Sequence, residues 1–213
     1  EFGITDGVDV RLTKRIPVAA GMAGGSTDAA SMLYGMNQIF DLGLSRKALM
    51  ERGVKIGADV PYCLMRGTAL AQGIGEKLSQ LPPMVKCPVL IAKPAVSVST
   101  KFVYQNLKLD EHTIHPDIDA LIGAIRNKDF TAICGNMGNV LESVTIPNYP
   151  VIAQIKEKMM EAGASHAMMS GSGPTVFGLF EDEEIARHAR DVMKESGLAR
   201  QVYLTSIYNN RRK

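Results

Sequence analysis

Three short stretches of this chain combine residue types that could do chemistry on an anion. The first, residues 16–30, reads I-P-V-A-A-G-M-A-G-G-S-T-D-A-A, with Gly21, Gly24 and Gly25 ahead of a run of helix formers. Glycine lets backbone N–H groups approach a ligand with no side chain in the way. A helix start adds unpaired N–H groups and the positive end of a dipole, which together suit a phosphate. The same pattern serves equally as a plain tight turn, so the loop alone leaves both readings open. It carries no Lys after the glycines, as a Walker A loop would, and its spacing is not G-x-G-x-x-G. The second stretch is Gly57-Ala58-Asp59-Val60-Pro61-Tyr62, which sets a carboxylate among small and apolar neighbours. Burying an acid there is costly unless it is paired or has a task. Asp59 reads either as the cap of the next turn or as a catalytic carboxylate. The third, Ser170-Gly171-Ser172-Gly173-Pro174, reads as a Gly-rich hairpin turn whose backbone could also pack closely against a second glycine loop.

The elements that would position these residues follow from periodicity. Val8, Val10, Leu12 and Ile16 alternate with polar residues and predict a strand over 8–16. Ser26, Thr27 and Asp28 are N-cap types and predict a helix over 26–40. Ser45 is the expected cap of a second helix over 46–54, and a strand–turn–strand is expected within 67–78. Pro82-Pro83 marks a boundary, giving expected domains of 1–85 and 86–213. Beyond it the pattern predicts a buried strand over 88–92, a short helix to Asn106 that Thr100 would cap, helices over 116–126 and 150–162, and between them more helix over 130–141 broken by Gly135 and Gly138. Strands over 164–169 and 175–180, a helix from Asp182 to Lys194, and a last strand over 201–207 complete the order. That order is the ferredoxin-like β-α-β-β-α-β plan with extra helices in the first crossover, an α+β arrangement.

With 213 residues, 46% of them hydrophobic, 22% charged and a formal net charge of +2, the composition is that of an ordinary globular protein. No apolar run approaches a membrane span, and the opening Glu-Phe-Gly-Ile-Thr-Asp has no signal-peptide pattern. The one basic cluster, Arg211-Arg212-Lys213, reads as a solvated end, and no basic stripe is interleaved with aromatics, so neither nucleic acid nor membrane is an expected partner. Cys63, Cys87 and Cys134 have no metal spacing and read as small buried thiols of a cytoplasmic protein.

In order, P-V-A-A-G-M-A-G-G-S-T-D-A-A, G-A-D-V-P-Y and S-G-S-G-P-T-V-F-G-L-F resemble the superfamily of galactokinases, homoserine kinases, mevalonate kinases and phosphomevalonate kinases. Within it, G-A-D-V-P points to the kinases of 4-diphosphocytidyl-2-C-methyl-D-erythritol, and Lys93-Pro94 through Val98-Ser99-Thr100 supports the same choice. The resemblance covers residues 2–208. It implies a two-domain kinase with a ribosomal-protein-S5-like N-terminal domain (truncated) and a ferredoxin-like C-terminal domain. It implies ATP-dependent phosphorylation of a small-molecule hydroxyl in non-mevalonate isoprenoid biosynthesis, with ATP and Mg²⁺ as cofactors. By the resemblance, Pro17, Val18, Ala19, Ala20, Gly21, Met22, Ala23, Gly24, Gly25, Ser26 and Thr27 form the ATP phosphate loop, with Met22 where the family commonly has Leu. Ser26 and Thr27 lie near the triphosphate and its Mg²⁺. Asp59 matches the catalytic Asp that takes the proton of the attacking hydroxyl. Tyr104 stands where the family places an aromatic against the cytosine, and Thr100 lies on the same substrate-side turn. The family's P-A-K-I-N-L-like strand and D-G-Y-H-like segment are not found ahead of Glu1, and none of His112, His115, His166 and His188 has a matching context. The expectation is therefore a member lacking its N-terminal portion, with little or no activity as an isolated chain. Two alternatives stand beside it: a homoserine- or mevalonate-type kinase, and a catalytically incompetent nucleotide-binding fragment.

Overall fold

The computed structural model describes residues 1–111 and 113–209. His112 and the basic tail 211–213 lie outside the described residues. The chain divides into two compact units, Glu1–Val18 with Ala23–Leu81 and Ala19–Met22 with Pro82–Lys213.

The first unit holds α1 (Gly24–Ile39), α2 (Arg46–Gly53), α3 (Val60–Met65) and a hairpin of β1 (Ala69–Gln72) and β2 (Lys77–Gln80). Ala30, Leu49, Val60 and Leu64 form its core, one or two residues from each helix. A Cβ at Gly53 would lie 2.8 Å from Val60 Cγ1, so α2 and α3 meet closely at that glycine. Ser45 caps α2, its hydroxyl accepting from Ala48 N at 3.2 Å. Asn37 is buried in α1 and clamps the following turn, accepting from Leu44 N at 2.9 Å and donating to Leu44 O at 3.2 Å.

Two expectations change in this unit. Helix α1 starts at Gly24, after Ala23 in the left-handed conformation (φ 48°) and with no side-chain cap, so Ser26 and Thr27 lie inside its first turn. The strand expected over 8–16 is not formed. Val8, Val10 and Leu12 stand 40%, 59% and 59% exposed. An alternating pattern specifies a face but no partner, and a strand's N–H and C=O groups need a neighbouring ladder. Among the described residues β1 and β2 pair only with each other. Ion pairs from Lys14 to Asp28 and from Arg52 to Glu1, with the Arg52 guanidinium over the Phe2 ring, tie the segment to α1 and α2.

The second unit is built on a four-stranded sheet of β3 (Pro88–Lys93), β4 (His166–Met169), β5 (Val176–Leu179) and β6 (Gln201–Ser206). The strand order is β4-β5-β3-β6 and every neighbour is antiparallel, which is the ferredoxin-like sheet. The crossover from β3 to β4 carries α4 (Thr100–Asn106), α5 (Ile118–Asn127), α6 (Phe130–Asn136), α7 (Glu142–Asn148) and α8 (Val151–Glu161); α9 (Glu183–Glu195) joins β5 to β6. The central strand β3 is sorted by period two. Leu90 and Ala92 face a core with Ile152, Ile155 and Met159 of α8 and Ala186, Ala189 and Met193 of α9. Val89 and Ile91 face a second cluster with Phe130 and Cys134 of α6 and with Cys87. Burial pushes the Cys87 thiol up to about 11, with Cys134 adding to the shift, so both behave as small apolar groups. Helix α7 lies beyond the expected elements, because Pro147 interrupts the pattern of its seven residues. The cap of α4 is Ser99, which accepts from Phe102 N at 3.3 Å, rather than Thr100. Among the described residues no helix is long and apolar enough to cross a membrane.

His166 on β4 supplies a pH dependence. Burial, and then the Lys156 ammonium, hold its pKa below the ordinary value of 6.5, with Glu142 acting in the opposite sense. The unfolded chain therefore binds the extra proton first as pH falls. The stability tied to neutral His166 is complete above about 6.5 and is lost as pH drops through that value toward the folded pKa. Denaturant midpoints measured from about pH 7 to about pH 5 should fall, and His166→Gln should flatten the slope. An unchanged slope in that variant would assign it to other groups.

Candidate active site

The glycine loop and the Ser170 turn meet through backbone. Ser170 Oγ donates to Gly21 O at 2.7 Å. Gly21 has φ 67°, and a Cβ placed on it would sit 2.1 Å from Ser170 O and 3.1 Å from Gly173 O. Only glycine permits that approach in that conformation. Residues 19–22 pack with the second unit, and the rest of the predicted loop belongs to the first. Pro17 and Ala20 are buried, whereas Val18, Ala19, Gly21, Gly25 and Thr27 are exposed. Met22, Ala23, Gly24 and Ser26 are half-buried.

In the first unit, the start of α1 lies beside the Asp59 segment. A Cβ at Gly57 would be 3.9 Å from Ser26 Oγ. Thr27 Oγ1 lies 3.5 Å from Cys63 Sγ on α3 and donates to Ala23 O at 3.0 Å, while the Ser26 hydroxyl has no protein partner among the described residues. Asp59 occupies the N-cap position of α3, yet its side chain makes no capping bond and is exposed. That removes the plain capping role. The hairpin between β1 and β2 comes near this carboxylate, a Cβ at Gly75 lying 3.9 Å from Asp59 Oδ1.

In the second unit, Thr100 Oγ1 lies 2.8 Å from Ser172 Oγ, so the Ser170 turn holds Gly21 through one serine and Thr100 through the other. Tyr104, one helical turn along α4, is 61% exposed with its ring open to solvent. Among the described residues no three His, Cys, Asp or Glu side chains cluster to hold a metal.

Residues 1–67 match the GHMP kinases N terminal domain family, and residues 121–198 match the GHMP kinases C terminal family. A 4-diphosphocytidyl-2-C-methyl-D-erythritol kinase from Lachnospira eligens is 58% identical over 208 residues, spanning 98% of this chain and 72% of that protein. This chain belongs to the 4-diphosphocytidyl-2-C-methyl-D-erythritol kinase family. A kinase of the same name from Lachnoclostridium phytofermentans is 53% identical over 210 residues, 99% of this chain and 72% of the relative. The crystal structure of a 4-(cytidine 5'-diphospho)-2C-methyl-D-erythritol kinase matches with a TM-score of 0.75 at 28% identity, covering 91% of this chain and 68% of that one.

In this GHMP kinase two polar residues bear on the Ser170 turn that the sequence reading did not single out. Asn139 donates from its amide to Met169 O and to Gly171 O, both at 2.8 Å. Glu142 accepts from Met169 N at 2.8 Å and pairs with Lys156. The two lie just ahead of and at the first residue of α7, whose N-cap is Leu141 with no side-chain cap, so no local pattern marked them.

Proposed function

We propose that the protein carrying this chain transfers the γ-phosphoryl group of ATP to the 2-hydroxyl of 4-diphosphocytidyl-2-C-methyl-D-erythritol, a step of non-mevalonate isoprenoid biosynthesis. The observation that carries this is the 58% identity to a kinase of that name over 98% of the chain.

The residues take the following parts. The glycine loop from Pro17 to Thr27 supplies backbone N–H groups to the phosphates, and Gly21 lets the chain run close beneath them. Phosphoryl transfer asks the protein mainly for positioning and charge stabilisation. Asp59 takes the proton of the 2-hydroxyl as that oxygen attacks the γ-phosphorus. The new P–O bond forms, the bond to the bridging β–γ oxygen breaks, and ADP leaves with that electron pair. The exposed carboxylate with no cap bond is free for this task. Tyr104 offers an open ring face for stacking on the cytosine, and Thr100 orients the same end of the substrate. The unpartnered Ser26 hydroxyl suits a Mg²⁺ that arrives with ATP, because Mg²⁺ keeps waters and phosphate oxygens and needs few protein ligands. When bound, Mg²⁺ neutralises charge on the phosphates.

The whole protein that carries this chain, offered ATP with a panel of alcohols, should form ADP with the diphosphocytidyl compound and not with homoserine or mevalonate. Turnover of a mevalonate-type alcohol with none of the diphosphocytidyl compound would overturn the assignment.

A further inference from the structure

We propose that Asn139, with Glu142 beside it, is a positioning residue for the phosphate loop: it fixes the Ser170 turn, and through that turn it fixes Gly21, without touching ATP. The Gly21 carbonyl is held by the Ser170 hydroxyl at 2.7 Å, and the two backbones are close enough that no side chain fits between them. Gly21 therefore stands where Ser170 puts it. The turn closes on itself through Ser170 N to Thr175 O at 2.8 Å and Gly173 N to Ser170 O at 2.9 Å. Those bonds set the shape of the turn and not its placement.

Placement comes from 139–142. The two Asn139 amide bonds, to Met169 O and Gly171 O, straddle Ser170. The Asn139 oxygen accepts from Leu141 N at 3.0 Å, so donor and acceptor sides of the amide are both committed. A flipped amide would aim its oxygen at two carbonyls. Glu142 holds Met169 N from the same helix start. Thr145, fully buried one turn further along α7, donates to Ser172 O at 3.3 Å. The start of α7 thus grips both residues flanking Ser170, and a shift there moves the Ser170 hydroxyl off the Gly21 carbonyl.

The ATP arm of the following test rests on the kinase reading; the spectroscopic arm does not. Asn139→Asp keeps the size and the acceptor for Leu141 N but replaces the donor pair with an oxygen facing two carbonyls. Amide spectra of ¹⁵N-labelled protein read the Met22 resonance, which reports the peptide unit carrying the Gly21 carbonyl. Met22 should move in Asn139→Asp, and in Ser170→Ala, with the resonances of α8 and α9 in place. By calorimetry each single variant should weaken ATP binding roughly tenfold, and the double variant no further, because both act through one contact. An unmoved Met22 in Asn139→Asp, with shifts confined to 169–175, would reduce Asn139 to a support of the turn and overturn the proposal, as would additive losses in the double variant. If unaltered protein bound no ATP, the phosphate-loop reading would fail, and Met22 would still decide the role of Asn139. Asn139→Ala repeats the test should the aspartate variant not fold.

Discussion

In the whole protein that carries this chain, Asp59→Ala should lower kcat by about 10²–10⁴-fold, the range a positioned general base contributes. The loss should fall on turnover and leave ATP affinity within about twofold, because a group used only as the reaction proceeds changes kcat and not ground-state binding. The structure makes this a clean experiment. Asp59 is exposed, and although it occupies the N-cap position of α3 it makes no capping bond. Among the described residues its side chain makes no hydrogen bond, so its removal takes none from the first unit, and the melting temperature should stay near that of the unaltered protein. Asp59→Asn should match the alanine variant in rate, since an amide of the same shape cannot accept the proton. Steady-state kinetics with calorimetric ATP binding separate the cases. Undiminished turnover in either variant would remove Asp59 from the mechanism. A parallel loss of rate and stability would instead make it a structural cap.

How much of this was legible in the sequence depends on the range of the interactions involved. Local signals read true: Ser45 caps α2, Asp182 caps α9 through Glu184 N and Ile185 N, and the continuous apolar run 88–92 forms one strand packed on both faces. The ferredoxin-like order was readable because each strand and helix of the second unit is a self-consistent periodic segment. The segment 8–16 shows the opposite case. Its alternation is clear, but pairing is decided by a neighbour that periodicity does not specify. The start of α1 was misplaced for a related reason. Ser26 and Thr27 look like caps, yet the turn at Ala23 admits the chain to the helix with no side-chain oxygen.

The site was legible as three motifs and not as a network. Spacing within a motif is printed in the sequence. The bonds that join Ser170 to Gly21 and Ser172 to Thr100 cross 149 and 72 residues and have no local signature. Asn139 illustrates the cost. No motif singled it out, and its importance lies in two carbonyls 30 and 32 residues away. The third motif is thus a hub, with one serine serving the candidate phosphate loop and the other serving the start of α4, where Thr100 lies.

Gly21→Ala should be the most damaging single-methyl change in the loop, lowering ATP affinity by about 10²-fold or more. Two costs combine. The φ of 67° puts a residue with a Cβ in the left-handed region, at roughly 1–2 kcal/mol. The added carbon would also stand 2.1 Å from Ser170 O, a backbone atom that cannot rotate aside. Relief requires the loop and the turn to separate, which breaks the bond from Ser170 Oγ to Gly21 O and moves the peptide units that would face the phosphates. Gly35→Ala is the internal control. Gly35 lies inside α1 beyond the loop, nothing would come within 4 Å of its Cβ, and its backbone is not left-handed. Alanine there should hold or raise the melting temperature, since it favours a helix interior over glycine by about 1 kcal/mol. Paired thermal melts and ATP titrations decide the matter. If the two variants lose affinity equally, the loss does not come from the contact with the Ser170 turn. If only Gly21→Ala fails, the phosphate site is set by the meeting of two glycine-rich backbones.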